Sequence, residues 1–111
     1  MPAERLPRLL ADLERTLDQA DQLAERGRAA YDTDPALPLA SEALSNRVGD
    51  LAKRIVALDQ ARFAEPIWSN AARNRDFVAH HYDRIDPEVL WSTVTTAFAE
   101  LAVVVRRERA R

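Results

Sequence analysis

The sequence predicts an all-α, up-and-down helical bundle of four to five helices, and three observations carry that expectation. Apolar residues recur every three or four positions in four separate stretches. No stretch alternates with the period of two that a strand requires. Proline, glycine and acidic turn residues fall between the stretches. Packing such stripes together gives a bundle around one core.

The first stripe is Leu6, Leu10, Leu13, Leu17, Ala20 and Ala24, with acids and arginines on the remaining faces. Gly27 follows as a stop, since glycine accepts the left-handed turn that ends many helices. Tyr31 to Pro38 reads as turn chemistry, with two prolines that break helices. The second stripe is Leu44, Val48, Leu51, Ile55 and Leu58, with Ser41 as its expected N-cap. Gly49 lies inside it at a cost of about 1 kcal/mol against alanine, which implies close packing there. Glu65-Pro66 interrupts the chain, and Ile67 to about Ala79 is helix-compatible, with Trp68, Ala71, Ala72 and Val78 to bury. Asp86-Pro87-Glu88 combines a cap, a first-turn proline and a first-turn acid. Leu90, Val94, Phe98, Leu101 and Val105 then form the last stripe. Arg106, Arg107, Arg109 and Arg111 follow it, where cations suit the helix dipole and read as a solvated tail.

Composition bounds the function. At 111 residues, 47% hydrophobic and 31% charged, the chain reads as one globular domain over residues 1–111. With no cysteine, it has no disulfide, thiolate metal site or cysteine nucleophile. No apolar run approaches the roughly 20 residues that cross a bilayer, and the start lacks a secretory apolar region. A cytoplasmic protein without a membrane partner is expected. A net charge of −2 gives no general basic field for nucleic acid, so any such binding needs a local patch.

Chemistry concentrates in one segment, Arg73 to Asp86 (RNRDFVAHHYDRID). It holds both histidines, His80 and His81, with Arg73, Asn74, Arg75, Asp76, Tyr82 and Arg84. Histidine can take and give a proton near neutrality. Arginine can hold a phosphate through two parallel hydrogen bonds. Asp76 and His80 are four apart and share a helix face, where a carboxylate can fix the imidazole tautomer. Arg75 and His80 are five apart, about 140° around an ideal helix. They meet on one ligand only if the helix ends or bends between them, or if a second chain completes the site. Adjacent His80 and His81 point in different directions and make a poor metal pair. The competing reading is a surface ion pair and a solvated arginine face. Trp68 and Trp91 read as core or interface anchors, and Tyr31 carries no signal.

Pro66 to Val94 resembles the HepT-like toxins of the HEPN superfamily. Arg75, Asp76, His80 and Tyr82 fall on that family's arginine, polar residue, histidine and tyrosine positions. Trp68, Asp86 and Trp91 match its flanks, and Val48-Gly49-Asp50 is similar to a triplet on its second long helix. The likeness runs from about Leu6 to Arg106. It implies a HEPN-like bundle that forms a homodimer, with the motifs of both protomers in one cleft. It implies a metal-independent endoribonuclease of a toxin–antitoxin pair, with no cofactor and with RNA as substrate. Arg75 and His80 would be catalytic, with Asp76 and Tyr82 in support and Arg73, Asn74, His81 and Arg84 as further phosphate contacts. The implied partner is an MntA-type minimal nucleotidyltransferase antitoxin that places AMP on Tyr82. Asp76 departs from the commoner asparagine and would repel phosphate unless Arg75 neutralises it. The alternative function is a non-catalytic module that binds nucleotide, RNA or a partner, which the near-neutral charge and Asp76 favour. A third reading makes the cluster a polar network at a dimer seam.

Overall fold

A computed structural model describes the backbone of residues 2–80 and 86–111, and the side chains of 4–74 and 86–111. The helices are α1 (Pro2–Glu25), α2 (Arg28–Thr33), α3 (Ala36–Leu58), α4 (Pro66–His80), α5 (Pro87–Ser92) and α6 (Phe98–Arg109). A π-helical stretch, Thr93–Ala97, joins α5 and α6 into a rod of 23 residues, Pro87–Arg109. Among the described residues there is no strand. Helix α1 packs on α3 and α6, and α3 packs on α4.

The four stripes interlock as a single core. Leu10, Leu13 and Leu17 of α1 are buried with Val48, Leu51 and Ile55 of α3 and with Val94, Phe98, Leu101 and Val105 of the rod. The hairpin between α3 and α4 closes on an edge-to-face pair, Phe63 and Trp68, with ring centroids 4.9 Å apart. Trp68 is therefore a core residue. A polar link crosses α1 and α3, where Arg47 Nε donates to Thr16 Oγ1 at 3.1 Å.

Three local expectations are corrected. Tyr31 to Pro38 is mostly helical: Tyr31 ends inside α2, and α3 already begins at Ala36. Pro38 sits in the first turn of α3, where its missing N–H has no helical partner to lose. Ser41 is no cap but a buried helix residue, and its hydroxyl donates to the Leu37 carbonyl at 2.9 Å. Finally, the rod is long and apolar enough, by length and composition, to cross a membrane. The run TVTTAFAELAVVV is not continuously apolar, but its valines, alanines, phenylalanine and leucine keep the mean hydropathy high. Within the fold, its apolar stripe forms the core.

The π-helical stretch also escaped the sequence pattern. The N–H of Phe98 reaches five residues back to Thr93, while Thr93 and Thr95 donate their hydroxyls to Val89 O (2.9 Å) and Trp91 O (2.7 Å). Threonine hydroxyls compete for helix carbonyls, which loosens the regular ladder.

Antiparallel packing gives the bundle two different ends. One end gathers the start of α1, the α3–α4 connection and the tail of α6. There Glu108 is 3% exposed. It accepts from Arg62 Nε at 2.8 Å, and Arg111 Nη1 lies 3.2 Å away. Arg109 and Arg106 pair with Glu14, and Arg107 with Glu65. The terminal arginines are thus exposed but tied to α1 and to the connection, where a free solvated tail was expected. Burial pushes the Glu108 carboxyl up, but the bonds from Arg62 and Arg111 outweigh it and hold the group below the ordinary glutamate range.

Arg62→Ala removes a partner from this nearly buried carboxylate and should cost about 2 kcal/mol, measured by denaturant unfolding. Because the folded carboxyl titrates low, its contribution is present above the ordinary glutamate value and disappears as pH falls through the depressed one. Glu108→Gln should therefore flatten the acid limb of the stability profile and leave its neutral-to-basic shape alone.

Candidate functional site

The opposite end of the bundle is where α4 delivers the Arg73–Asp86 segment. Helix α4 runs unbroken to His80. Arg75, Asp76 and His80 thus occupy positions on one continuous helix, with Asp76 and His80 one turn apart and Arg75 and His80 about 140° apart. The side chains of Arg75, Asp76 and His80 lie outside the described residues, as do His81, Tyr82 and Arg84 entirely.

What is described is the frame on either side. Downstream, Asp86 takes an extended conformation (φ −72°, ψ 121°), and its carboxylate accepts from the Glu88 N–H at 2.8 Å. Pro87 at the first helical position has no N–H to leave unsatisfied. The sequence cue for this helix start therefore matches the structure residue by residue.

Helix α2 holds that start in place, which the sequence did not reveal. Gly27 enters α2 with φ +87°, a conformation that a side chain would strain. Tyr31 then points inward, 2% exposed, and its hydroxyl donates to the Pro87 carbonyl at 3.0 Å. Its ring packs on Trp91 with centroids 4.9 Å apart. Burial raises the phenol above its ordinary value, so it remains a donor at neutral pH. The expectation that Tyr31 carries no signal is thus corrected: it couples positions 56 residues apart. An isolated tyrosine in a polar stretch offers no periodicity by which to find it.

Arg28 adds a fork. Its Nη1 donates to Glu88 Oε2 at 2.9 Å, its Nη2 donates to Glu88 Oε1, and its Nε donates to Asp32 Oδ1 at 2.7 Å. Bonding to Glu88 and then Asp32 raises the guanidinium above its usual value, and the same fork lowers the Glu88 carboxyl. Both partners are substantially exposed, so added salt screens the pair.

Upstream, Arg73 and Asn74 go to different sides of α4. Arg73 is exposed, donates to Asn70 Oδ1 and lines the groove between α3 and α4. Asn74 lines the cleft between α4 and the rod, where its Nδ2 is buried without a hydrogen-bond partner. Among the described grooves the two line different ones. Among the described residues, no group of three or more His, Asp or Glu side chains could hold a metal ion.

A family model described as Ribonuclease HepT-like matches residues 13–108. The chain belongs to the HepT-like ribonuclease family. The match takes in the second half of α1, the brace at α2, helices α3 and α4, the whole Arg73–Asp86 segment and nearly all of the rod of this HepT-like chain. No curated protein and no solved structure matches it. The family name carries ribonuclease activity in general.

The brace should be measurable. Tyr31→Phe leaves the Pro87 carbonyl without its donor and should cost about 1 kcal/mol, and Asp86→Ala should cost a similar ~1 kcal/mol through the lost cap. Arg28→Ala and Glu88→Ala should be non-additive in a double-mutant cycle of unfolding. Their coupling should shrink when salt is raised to about 0.5 M.

Proposed function

We propose that this HepT-like chain is a metal-independent endoribonuclease toxin that cuts RNA with Arg75 and His80. The observation that carries the reading is the spacing Arg75-Asp76-x3-His80-x-Tyr82 inside a chain matched to a ribonuclease family over residues 13–108. RNA brings its own nucleophile. The imidazole of His80 takes the proton of the 2′-hydroxyl, whose oxygen attacks the adjacent phosphorus. The bond from phosphorus to the 5′ oxygen breaks, and a protonated imidazole gives that oxygen its proton. The products are a 2′,3′-cyclic phosphate and a 5′-hydroxyl. Arg75 stabilises the negative charge that builds on the phosphoryl oxygens, and Asp76 orients His80.

A single chain supplies one His80, on a helix that places Arg75 about 140° away. The reaction needs a base and an acid, and the phosphate needs the guanidinium close by. A homodimer meets these needs, with His80 of the partner subunit as the second proton carrier. Arg73, Asn74, His81 and Arg84 are then available to neighbouring phosphates, and Asp76 stays tolerable beside phosphate because Arg75 neutralises it. Tyr82 is the acceptor of AMP from an MntA-type nucleotidyltransferase antitoxin in the cytoplasm. Loading it with a nucleotide puts a second phosphate beside Arg75 and competes with RNA.

His80→Ala should lower RNA cleavage by about 10²–10⁴-fold without changing the oligomer seen in sedimentation. Cleavage by wild type should persist in EDTA and leave cyclic phosphate ends. Equal cleavage by wild type and His80→Ala would overturn the reading. With the cognate nucleotidyltransferase and labelled ATP, Tyr82→Phe should take up no AMP.

A further inference from the structure

A groove between α3 and α4 offers about 600 Å³ on the surface. That falls within the roughly 300–1,000 Å³ of small-ligand sites. Its lining divides by chemistry. Val56, Ala57 and Ala72 make an apolar floor, and exposed Gln60 and Ser69 stand at its side. The charged residues of the lining are Lys53 and Arg73, both cations and both exposed. Trp68 lies beneath, only 1% exposed, so it supports the floor and offers no face for stacking.

The two cations belong to one end of the groove. Helices α3 and α4 form an antiparallel hairpin around the connection 59–65. Lys53 is the lining residue furthest back along α3, and Arg73 is the one furthest forward along α4. Both directions lead away from the hairpin and toward the motif end of the bundle. Arg73 precedes Arg75 by two residues, a rise of about 3 Å along the helix. Val56, Ala57 and Ala72 come next to the cations, and Gln60 and Ser69 lie beyond them, nearest the hairpin. An apolar shelf with polar groups at its side and cations at one end suits a base joined to a phosphate. An acidic peptide would leave the shelf unused, and a lipid chain would leave the polar groups unpaired.

We propose that this groove receives one nucleotide of single-stranded RNA beside the scissile phosphate, its base on Val56, Ala57 and Ala72 and its phosphate on Lys53 and Arg73. The subsite rests on the nuclease reading for its RNA. Gln60 and Ser69 meet the edge of the base and make the groove the source of any base preference.

The test uses the full chain and a fluorescein-labelled 2′-O-methyl uridine hexanucleotide, which lacks the nucleophile and cannot be cut. Anisotropy should show binding to wild type. Ala57→Phe fills the shelf and Arg73→Glu reverses the cationic end, so each should raise Kd about tenfold. Both substitutions are on exposed positions and should leave Tm unchanged. Unchanged Kd in both variants, while wild type cleaves unmodified RNA, would overturn the subsite and leave the nuclease standing. Weaker binding by the variants of a protein that cuts no RNA would support the subsite and sink the nuclease. Uridine 5′-monophosphate that competes as well as the hexanucleotide would overturn RNA as the occupant.

Discussion

A phenol and an indole seat the last helix of this protein. Tyr31 presses its ring on Trp91 and gives its hydroxyl proton to the carbonyl of Pro87. That carbonyl belongs to the first turn of the rod, and the rod supplies one of the four stripes of the core. Moving the seat would rotate the rod and lift Val94, Phe98 and Leu101 off α1. The stripes provide most of the free energy through buried apolar area. They slide easily, however, because hydrophobic contact is not directional. The directed bond of Tyr31, the Asp86 cap and the Arg28 fork set where along its axis the rod rests.

The two ends of the bundle are built for different tasks. At the Glu108 end, arginines converge on a nearly buried carboxylate and close the structure. At the other end, α4 carries the Arg75, Asp76 and His80 positions on its last turns, and the braced turn begins again at Asp86. The groove between α3 and α4 has its cationic end, Lys53 and Arg73, on this same side of the bundle.

Local rules that need only neighbouring residues were legible. Asp86-Pro87-Glu88 starts its helix as written, because an N-cap is satisfied within three residues. Leu90, Val94, Phe98, Leu101 and Val105 are all buried, because a helical stripe must face something apolar. Pro38 and Ser41 misled in the other direction. Proline is harmless in a first helical turn, and a serine hydroxyl can turn back to its own helix when buried. The Arg73–Asp86 segment stood out as the place where both histidines gather with arginines and a tyrosine, while spacing alone is met as well by a surface ion pair and a solvated arginine face.

The sequence by itself determined the helical class, the positions of the stripes and the one segment in which both histidines lie among arginines. Each of these depends on periods of three to four residues or on side-chain chemistry. Only the tertiary structure decided that Tyr31 reaches Pro87, that Arg28 reaches Glu88, and that Arg73 and Asn74 line different grooves beside α4. Contacts between residues about 60 positions apart leave no periodic trace. They follow from how four helices settle around a shared core, a choice made by the shapes of all the stripes at once.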